Sequence, residues 1–278
     1  MPDRWINEDG YSLNAVHGYT RFLVNFIREA RPHYLMAAFD ESLGSGFRHE
    51  LYPDYKSNRA LPDESLAFQL AACRQVTELI GMACYACERY EADDYIASAA
   101  RLARRENFPV TVVTRDKDLV QVMAQECDEW WDYAGEKRLS KAEWELAQAM
   151  KVSQMADWLA LTGDSIDAIP GVPGVGKLTA TRLLAAYGDL AGIYANLDRL
   201  PDSGIRSALR IQKALIDNRE QVLLARQLTG LYDKAIRARS TKAFGFAPSY
   251  KGVAEFLISL GCGERWAATV VKDLEALA

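Results

Sequence analysis

The sequence contains no apolar run approaching the ~18 residues that a membrane-spanning helix needs, and its polar start has no signal-peptide core. Positive charge is not in excess either: 33 lysines and arginines stand against 38 aspartates and glutamates, for a net charge of −5. This balance gives no general signal for nucleic-acid binding, although acidic residues gathered at one site can mask basic patches elsewhere. We therefore expect a soluble cytoplasmic protein with no membrane partner.

Cysteine and histidine are scarce, with five cysteines and three histidines scattered over 278 residues. This usage suits a reducing compartment. Cys84 and Cys87 form a C-x-x-C pair, which zinc-binding and redox proteins also contain, but no second pair or nearby histidine completes a site. Because positions i and i+3 of a strand point to opposite faces, the favoured interpretation is a buried strand with small apolar cysteines.

The order of the predicted elements favours an α/β protein. Strands are predicted at "YLMAAF", "MACYACE" and "PVTVVT", helices over 14–31 and 64–80, and a last strand pair at "CDEWWDY" and "KRL". Alternation of this kind is typical of a parallel sheet flanked by helices. Helical periodicity dominates after residue 140, so we predict an α/β domain at 1–140 and a helical region at 141–278. The polar stretch 41–66 is longer than a usual connection, which is typical of functional or disordered loops.

Carboxylates follow the predicted strands at the points where each strand ends. In an open α/β sheet ligands bind outside these carboxyl ends, so the side chains would converge. Crowded carboxylates repel unless some protonate or bind cations, and oxygen ligands suit Mg²⁺ or Mn²⁺. The alternative, acidic residues that stabilise helix N-termini one by one, stays open on the pattern alone. The residues at the strand ends are Asp40, Glu91, Asp93, Asp94, Asp116 and Asp118, and Asp164 and Asp167 lie just before the glycine-rich stretch.

The stretch "IPGVPGVGKLTATRLL", residues 169–184, partly fits the nucleotide-binding P-loop G-x-x-x-x-G-K-[ST]. Leu178 stands where the P-loop has its Ser or Thr, Pro173 removes an N–H group, and the preceding segment is predicted to be helical. We therefore favour a helix-hairpin-helix whose exposed N–H groups bind phosphate at a helix N-terminus. Glycines that serve packing alone are the other interpretation.

Four segments together resemble the 5′-nuclease (flap endonuclease) family, which includes the 5′-3′ exonuclease domains of bacterial polymerases and the phage 5′-exonucleases. They are "FRHELYPDYKSNR", "YEADDYIA", "TRDKDLVQV" and "LTGDSIDAIPGVPGVGKLTA", in the family's order and spacing. The resemblance implies a PIN-like α/β nuclease domain with a helix-hairpin-helix variant. It further implies cleavage of 5′ flaps and of branched or 5′-ended duplex DNA with two divalent ions, Mg²⁺ or Mn²⁺. All eight of these carboxylates would be metal-site residues.

By the same resemblance, the stretch at about 41–66 would form a helical arch over the active site. Lys56 and Arg59 would lie near the scissile phosphate, and Tyr55 would stack on a base. Cations there would oppose developing negative charge, and aromatic faces stack on unpaired bases. The pattern alone favours a solvated surface loop.

The resemblance also implies a potassium ion in the hairpin and duplex phosphates beside it. Neither carries a side-chain signature that would distinguish it in this sequence. The implied main-chain potassium ligands are Leu161, Thr162, Pro170, Val172 and Val175, and the implied DNA contacts are Gly174, Val175, Gly176, Lys177, Leu178 and Thr179.

One departure from the family concerns its first strand and the metal-binding aspartate at the end of that strand. The match begins within the turn after this strand, and Asp3 is no substitute because no strand precedes it. We hypothesise that Met1 is an internal methionine. The alternative function is a catalytically impaired protein that binds flaps or duplex DNA. Because the match ends without a polymerase segment, we expect a standalone, monomeric enzyme.

Overall fold

The computed structural model describes residues 5–42 and 44–277, so Asp3 lies outside the described residues. None of the helices in these ranges is both long and apolar enough to cross a lipid bilayer. The chain divides into two compact units, the first comprising residues 1–41, 60–87 and 238–278 and the second residues 42–59 and 88–237.

Helices outnumber strands along the described chain, and four short 3₁₀ helices lie at Asp118–Val122, Val152–Gln154, Leu197–Asp202 and Thr241–Phe244. In chain order the elements are α1 (Asn14–Ala30), β1 (Met36–Ala38), α2 (Phe47–Leu51), α3 (Glu64–Leu79), β2 (Ala83–Tyr85), α4 (Ala92–Arg105), β3 (Thr111–Val113), β4 (Glu129–Asp132), β5 (Lys137–Ser140), α5 (Lys141–Gln148), α6 (Met155–Thr162), α7 (Lys177–Tyr187), α8 (Leu190–Ala195), α9 (Ala208–Asp217), α10 (Arg219–Thr229), α11 (Val253–Ser259) and α12 (Glu264–Glu275).

The first unit is built on a short parallel strand pair and four helices. β1 pairs with β2 so that Ala37 lies opposite Cys84. Helix α1 packs against α3 and α12, and α11 packs against α3 and α12. Helix α1 turns Leu23 and Ile27, four residues apart and therefore on one face, into this core. The Asp63 side chain caps α3 by accepting the N–H of Leu66 at 2.7 Å.

The second unit holds a three-stranded sheet and the helices α4 to α10. β3 runs parallel to β4, which pairs antiparallel with β5. The largest helix contact is between α6 and α10. The core of this unit runs from the sheet, through Val112 and Trp130, to the helical half, where Leu183 and Leu215 are fully buried. Burial of this apolar surface is the main force that fixes the positions of the acidic and basic side chains of this unit.

Asp128, which is completely buried, anchors the entry to β4. Its carboxylate accepts the N–H groups of Val110, Ala124 and Gln125 at 2.8–2.9 Å. Three backbone donors compensate for the cost of burying the charge, so Asp128 is a structural residue of the sheet edge.

The predicted fold class, α/β with a parallel sheet and a helical C-terminal part, is confirmed, but the single parallel sheet is not. In the described ranges β1 and β2 form one sheet, β3, β4 and β5 form another, and the β4–β5 pair is antiparallel. An alternation of strands and helices reports which elements exist, whereas pairing depends on contacts between distant segments. The predicted last strand pair is β4–β5. The predicted arch contains, between β1 and α3, the five-residue helix α2 followed by turns.

Cys84 lies in β2, and neither it nor Cys87 forms a disulfide. In the part of the chain that the structure describes, no three His, Cys, Asp or Glu side chains are placed to hold one metal ion. The strand interpretation holds for Cys84, whereas Cys87 lies beyond the end of β2.

Candidate active site

Four carboxylates that the sequence placed in two separate segments lie at one site in the second unit. Asp116 and Asp118 follow the C-terminal end of β3, and Asp164 and Asp167 lie in the turn that leads from α6. The Asp118 N–H donates to Asp116 Oδ1 at 2.8 Å, and the indole N–H of Trp130 donates to the Asp116 carbonyl at 2.8 Å. The sheet thereby fixes the turn that carries both aspartates.

The four carboxylates interact electrostatically at Asp118. Burial, followed by the negative charges of Asp116, Asp164 and Asp167, raises the pKa of Asp118 from 3.8 to about 7. We call Asp116, Asp118, Asp164 and Asp167 the acidic cluster. Separate helix caps would not interact in this way, so the interaction favours a shared site over isolated caps.

A basic loop lies against the same carboxylates. Lys56 Nζ lies 2.6 Å from Glu91 Oε1, and the Arg59 guanidinium pairs with Asp167. The backbone N–H of Lys56 donates to the Asp167 carbonyl at 2.9 Å, and Lys56 itself has a positive φ of 54°. A left-handed lysine is uncommon and is held only where its surroundings determine it. The two predicted cationic residues are therefore directed at the acidic side chains.

Tyr55 does not occupy the exposed position that stacking on a base requires. Its ring lies in the hydrophobic core at 3% exposure, and its hydroxyl donates to Glu91 Oε2 at 3.1 Å and to Asp167 Oδ2 at 3.3 Å. Burial, together with the nearby carboxylate charges, raises the pKa of Tyr55 and keeps the phenol neutral. The predicted stacking role is thus corrected in this structure: Tyr55 links Glu91 to the acidic cluster through hydrogen bonds.

The other three predicted metal residues are placed differently. Asp94 is completely buried, and both of its oxygens accept from the Arg48 guanidinium at 2.8 Å. Asp93 lies half-buried in the first turn of α4. Asp40 follows β1 in the first unit, where it is exposed. Asp116, Asp118, Asp164 and Asp167 interact electrostatically, and Tyr55 connects Glu91 to Asp167 through hydrogen bonds.

These side chains fit a hard divalent cation in their chemistry. They present only oxygen donors, which Mg²⁺ and Mn²⁺ prefer, and the repulsion that raises the Asp118 pKa is what a cation would relieve. No set of three among the described residues has the geometry to ligate one ion, and Glu91 and Asp167 pair instead with Lys56 and Arg59. The assignment of individual ligands stays a prediction.

The glycine-rich stretch forms a hairpin between helices α6 and α7. A strand would precede a P-loop, whereas helix α6 precedes this hairpin, so the helix-hairpin-helix interpretation agrees with the structure. A Cβ on Gly171 would lie 2.3 Å from the Thr162 carbonyl, and Gly174 has a φ of +84°. Both positions therefore need glycine.

Helix α7 begins after Gly176 without a side-chain cap, so its first N–H groups are open to a ligand. The exposed members of the predicted DNA-binding set are Gly174, Gly176, Lys177 and Leu178. Thr179 is half-buried, and Val175 packs in the core at 4% exposure, so only its backbone could face a phosphate.

The carbonyls predicted to hold potassium are partly engaged within the hairpin. The Leu161 carbonyl accepts the Val172 N–H at 2.9 Å, and the Val172 carbonyl accepts the Val175 N–H at 2.9 Å. The Gln221 side chain approaches the Pro170 carbonyl at 3.4 Å. A carbonyl oxygen has two lone pairs, so these bonds leave room for a second partner. Potassium binding stays a prediction.

Arg48, to which the sequence analysis assigned no role, is the most connected side chain of the site. It lies within the "FRHELYPDYKSNR" motif and is 3% exposed. Its partners at Leu228 and Gly230 are 180 and 182 residues away in sequence, and no local pattern reveals them.

Comparisons with known proteins agree with this architecture. The family model for the 5′-3′ exonuclease N-terminal resolvase-like domain matches residues 1–153, and the model for the 5′-3′ exonuclease C-terminal SAM fold matches residues 150–249. DNA polymerase I of Streptococcus pneumoniae strain R6 is 32% identical over 93% of this chain and 29% of its own length. DNA polymerase I of Mycobacterium tuberculosis H37Rv is 34% identical over 79% of this chain and 24% of its own length.

Two solved structures share the fold at low sequence identity. T5 5′-exonuclease with bound zinc superposes with a TM-score of 0.67 at 17% identity, covering 96% of this chain and 92% of the phage chain. The catalytic core of Rad2 in complex with DNA substrate superposes with a TM-score of 0.61 at 13% identity, covering 98% and 86%.

The chain thus spans about a quarter of the length of the curated relatives it matches. The N-terminal family model alone covers more than half of the 278 residues, and the family's acidic and hairpin motifs lie where the fold brings them together. The resemblance seen in the sequence is confirmed: the chain belongs to the 5′-3′ exonuclease family.

Proposed function

We propose that this chain is a structure-specific, divalent-metal-dependent 5′-nuclease that hydrolyses phosphodiester bonds in 5′-flap, branched or 5′-ended DNA. One observation carries the proposal: the four carboxylates of the acidic cluster lie together, with Lys56 and Arg59 held against Glu91 and Asp167. Negative groups for cations and positive groups for phosphate are both needed for phosphodiester hydrolysis, and both are present at one place.

The acidic cluster and Glu91 would hold two Mg²⁺ or Mn²⁺ ions, with Asp93 as a further predicted ligand. Bound ions would activate water and stabilise the leaving oxygen. The divalent metal ions bound to T5 5′-exonuclease support metal dependence here as well. Zinc is the metal in that structure, whereas the all-oxygen donor set of this chain favours Mg²⁺ or Mn²⁺.

Lys56 and Arg59 would exchange their carboxylate partners for phosphate oxygens of the DNA. Lys56 Nζ is only partly exposed in its pair with Glu91, whereas Arg59 is about half exposed. An arginine presents a planar fork that matches phosphate, and a lysine presents a compact charge. Arg59 would therefore orient the backbone at the entrance while Lys56 stabilises negative charge deeper in the site.

The hairpin between α6 and α7 would bind the duplex beside the cleaved strand. Open N–H groups at the start of α7 and the exposed Lys177 suit phosphate contacts that read no sequence. A potassium ion on the hairpin carbonyls would stiffen this turn. The complex of the Rad2 catalytic core with a DNA substrate supports DNA as the partner. A monomeric state, a cytoplasmic location and a role in replication or repair complete the proposal.

A cutting assay tests this function directly. The protein is incubated with a labelled 5′-flap duplex, an unbranched duplex and a single strand, each with Mg²⁺ and each with EDTA. Mg²⁺-dependent release of the flap with little cutting of the intact strands is the expected result. A gel shift without product would favour the alternative, a DNA-binding protein with impaired catalysis. A protein that neither binds nor cuts the DNA would refute the proposal.

A further inference from the structure

Arg48 is a buried arginine whose guanidinium contacts four partners. Its Nη1 and Nη2 bond the two Asp94 oxygens at 2.8 Å each, and Nη1 also reaches Glu91 Oε2 at 3.1 Å. Its Nε donates to the Leu228 carbonyl at 3.0 Å, and Nη2 donates to the Gly230 carbonyl at 2.9 Å. The residue therefore ties α2 to the start of α4 and to the end of α10.

The carboxylate of Asp94 has no lone-pair position left for a metal ion in this arrangement. Oδ1 accepts from Arg48 and from the Tyr232 N–H at 2.9 Å, and Oδ2 accepts from Arg48 and from the Glu91 N–H at 3.1 Å. A carboxylate offers about four acceptor positions, and four donors fill them here. Asp94 is also completely inaccessible to solvent.

Two of these bonds act on Glu91. The Asp94 side chain holds the Glu91 backbone N–H as part of a capping box at the start of α4. The Arg48 Nη1 that bonds Asp94 also bonds Glu91 Oε2, so backbone and side chain are held through the same pair. The other Glu91 oxygen, Oε1, faces Nζ of Lys56, and Lys56 is the more exposed residue of this pair.

We propose that Arg48 and Asp94 form a buried clamp that positions Glu91 for metal binding, and that Asp94 is not itself a metal ligand. The inference rests on the proposed function and narrows it, because it removes one of the eight predicted ligands and adds a positioning residue. The bidentate geometry is what the clamp needs, since it fixes both the distance and the orientation of the carboxylate. A partner that orients a ligand typically changes metal affinity about 10- to 100-fold when it is lost.

The test is a pair of double-mutant cycles on Mn²⁺ affinity in the full chain. Arg48→Lys keeps the charge but loses the fork, Asp94→Asn keeps the shape but loses the charge, and Glu91→Gln removes the ligand. Each substitution is made alone, and the first two are also combined with Glu91→Gln. Mn²⁺ binding is titrated calorimetrically at a temperature where circular dichroism shows every variant to be folded. The values of kcat and KM on a 5′-flap duplex are measured alongside.

Asp128→Asn provides the matched control. Asp128 is as buried as Asp94 and accepts three backbone N–H groups, but it has no contact with Glu91 or the acidic cluster among the hydrogen bonds of its carboxylate. It should lower stability while leaving Mn²⁺ affinity within about twofold, because its bonds serve the sheet edge alone.

If the clamp acts through Glu91, Arg48→Lys and Asp94→Asn should each weaken Mn²⁺ binding about 10- to 100-fold alone. In a protein that already carries Glu91→Gln, either substitution should weaken Mn²⁺ binding by a further factor of less than about three. In the single variants, kcat should fall by a larger factor than KM rises. If Asp94→Asn weakens Mn²⁺ binding by the same factor with and without Glu91→Gln, Asp94 binds metal independently, and the clamp is overturned. An effect on stability with none on Mn²⁺ affinity would overturn it too.

The two proposals fail in different ways. A wild-type chain that binds Mn²⁺ without cutting DNA refutes the nuclease, while the affinity cycles still decide the clamp. If Asp94→Asn does not fold, the double-mutant cycle of Arg48→Lys with Glu91→Gln still tests whether the clamp acts through Glu91.

Discussion

Asp118→Asn should make the metal-free protein more stable, because the substitution removes a carboxylate from a buried and negatively charged site. The pKa of Asp118 rises from 3.8 to about 7 through burial and through the charges of its three acidic neighbours. At 1.36 kcal/mol per pKa unit this difference corresponds to about 4 kcal/mol of destabilisation once the folded-state carboxylate is ionised. Solvent screening of the partly exposed group reduces the expected effect to about 2 kcal/mol.

The sign of the pH dependence follows from the direction of the pKa change. A raised folded-state pKa favours the protonated carboxyl, so the contribution of Asp118 is complete below pH 3.8 and is lost as pH rises through about 7. Urea unfolding in EDTA should therefore show a gain for Asp118→Asn of about 2 kcal/mol near pH 8.5 and less than half of that near pH 5.

Asp202→Asn, at an exposed position, serves as the control and should change stability little at either pH. An Asp118→Asn protein that is no more stable than wild type in EDTA near pH 8.5 would refute the reasoning. So would a gain of equal size at both pH values. Added Mn²⁺ should also stabilise the Asp118→Asn protein less than wild type. The Asp118 carboxylate, which destabilises the metal-free protein, is a group that would bind the cation.

Three other outcomes are expected from single substitutions. Lys56→Ala should lower kcat on a 5′-flap duplex at least about tenfold while changing KM less than about threefold, because its charge acts on the reacting phosphate; equal cutting by Lys56→Ala and by the exposed control Lys137→Ala would count against this. Lys177→Ala should weaken duplex binding and reduce the slope of log affinity against log salt by about one, and an unchanged slope would remove Lys177 from the interface. Ala168 has a φ of 56°, so Ala168→Asn should raise the free energy of unfolding by about 0.5–1 kcal/mol in urea titrations, and a loss of stability would show that the left-handed backbone is not strained.

Much of the fold and of the site could be predicted from the sequence, because these features depend on local residue patterns and on the order of the motifs along the chain. Apolar residues at helical spacing predicted α1 and α3, and a short apolar run predicted β3. The acidic residues after the predicted strands were expected to converge because ends of parallel strands share an edge. The helix predicted before the glycine-rich stretch was enough to favour a hairpin over a P-loop, without any coordinates.

Two predictions could not be settled without tertiary contacts. Tyr55 has the same local sequence whether its ring is exposed for stacking or buried, and only packing against the second unit's core decides that it lies at 3% exposure. The division into two sheets likewise depends on which strands pair with each other. The alternation of buried and exposed residues along a strand does not reveal its pairing partner.

The sequence by itself determined the element types, the order of the motifs and the set of acidic and basic residues available for phosphodiester chemistry. Only the tertiary structure decided which partners occupy each carboxylate. Glu91 and Asp94 lie in one short motif, yet a guanidinium from α2, the Tyr232 N–H beyond α10 and the Glu91 N–H fill every acceptor position of Asp94, whereas Glu91 Oε1 faces Lys56. The physical reason is that hydrogen-bond capacity is consumed by partners distant in sequence, and only the folded chain brings those partners together.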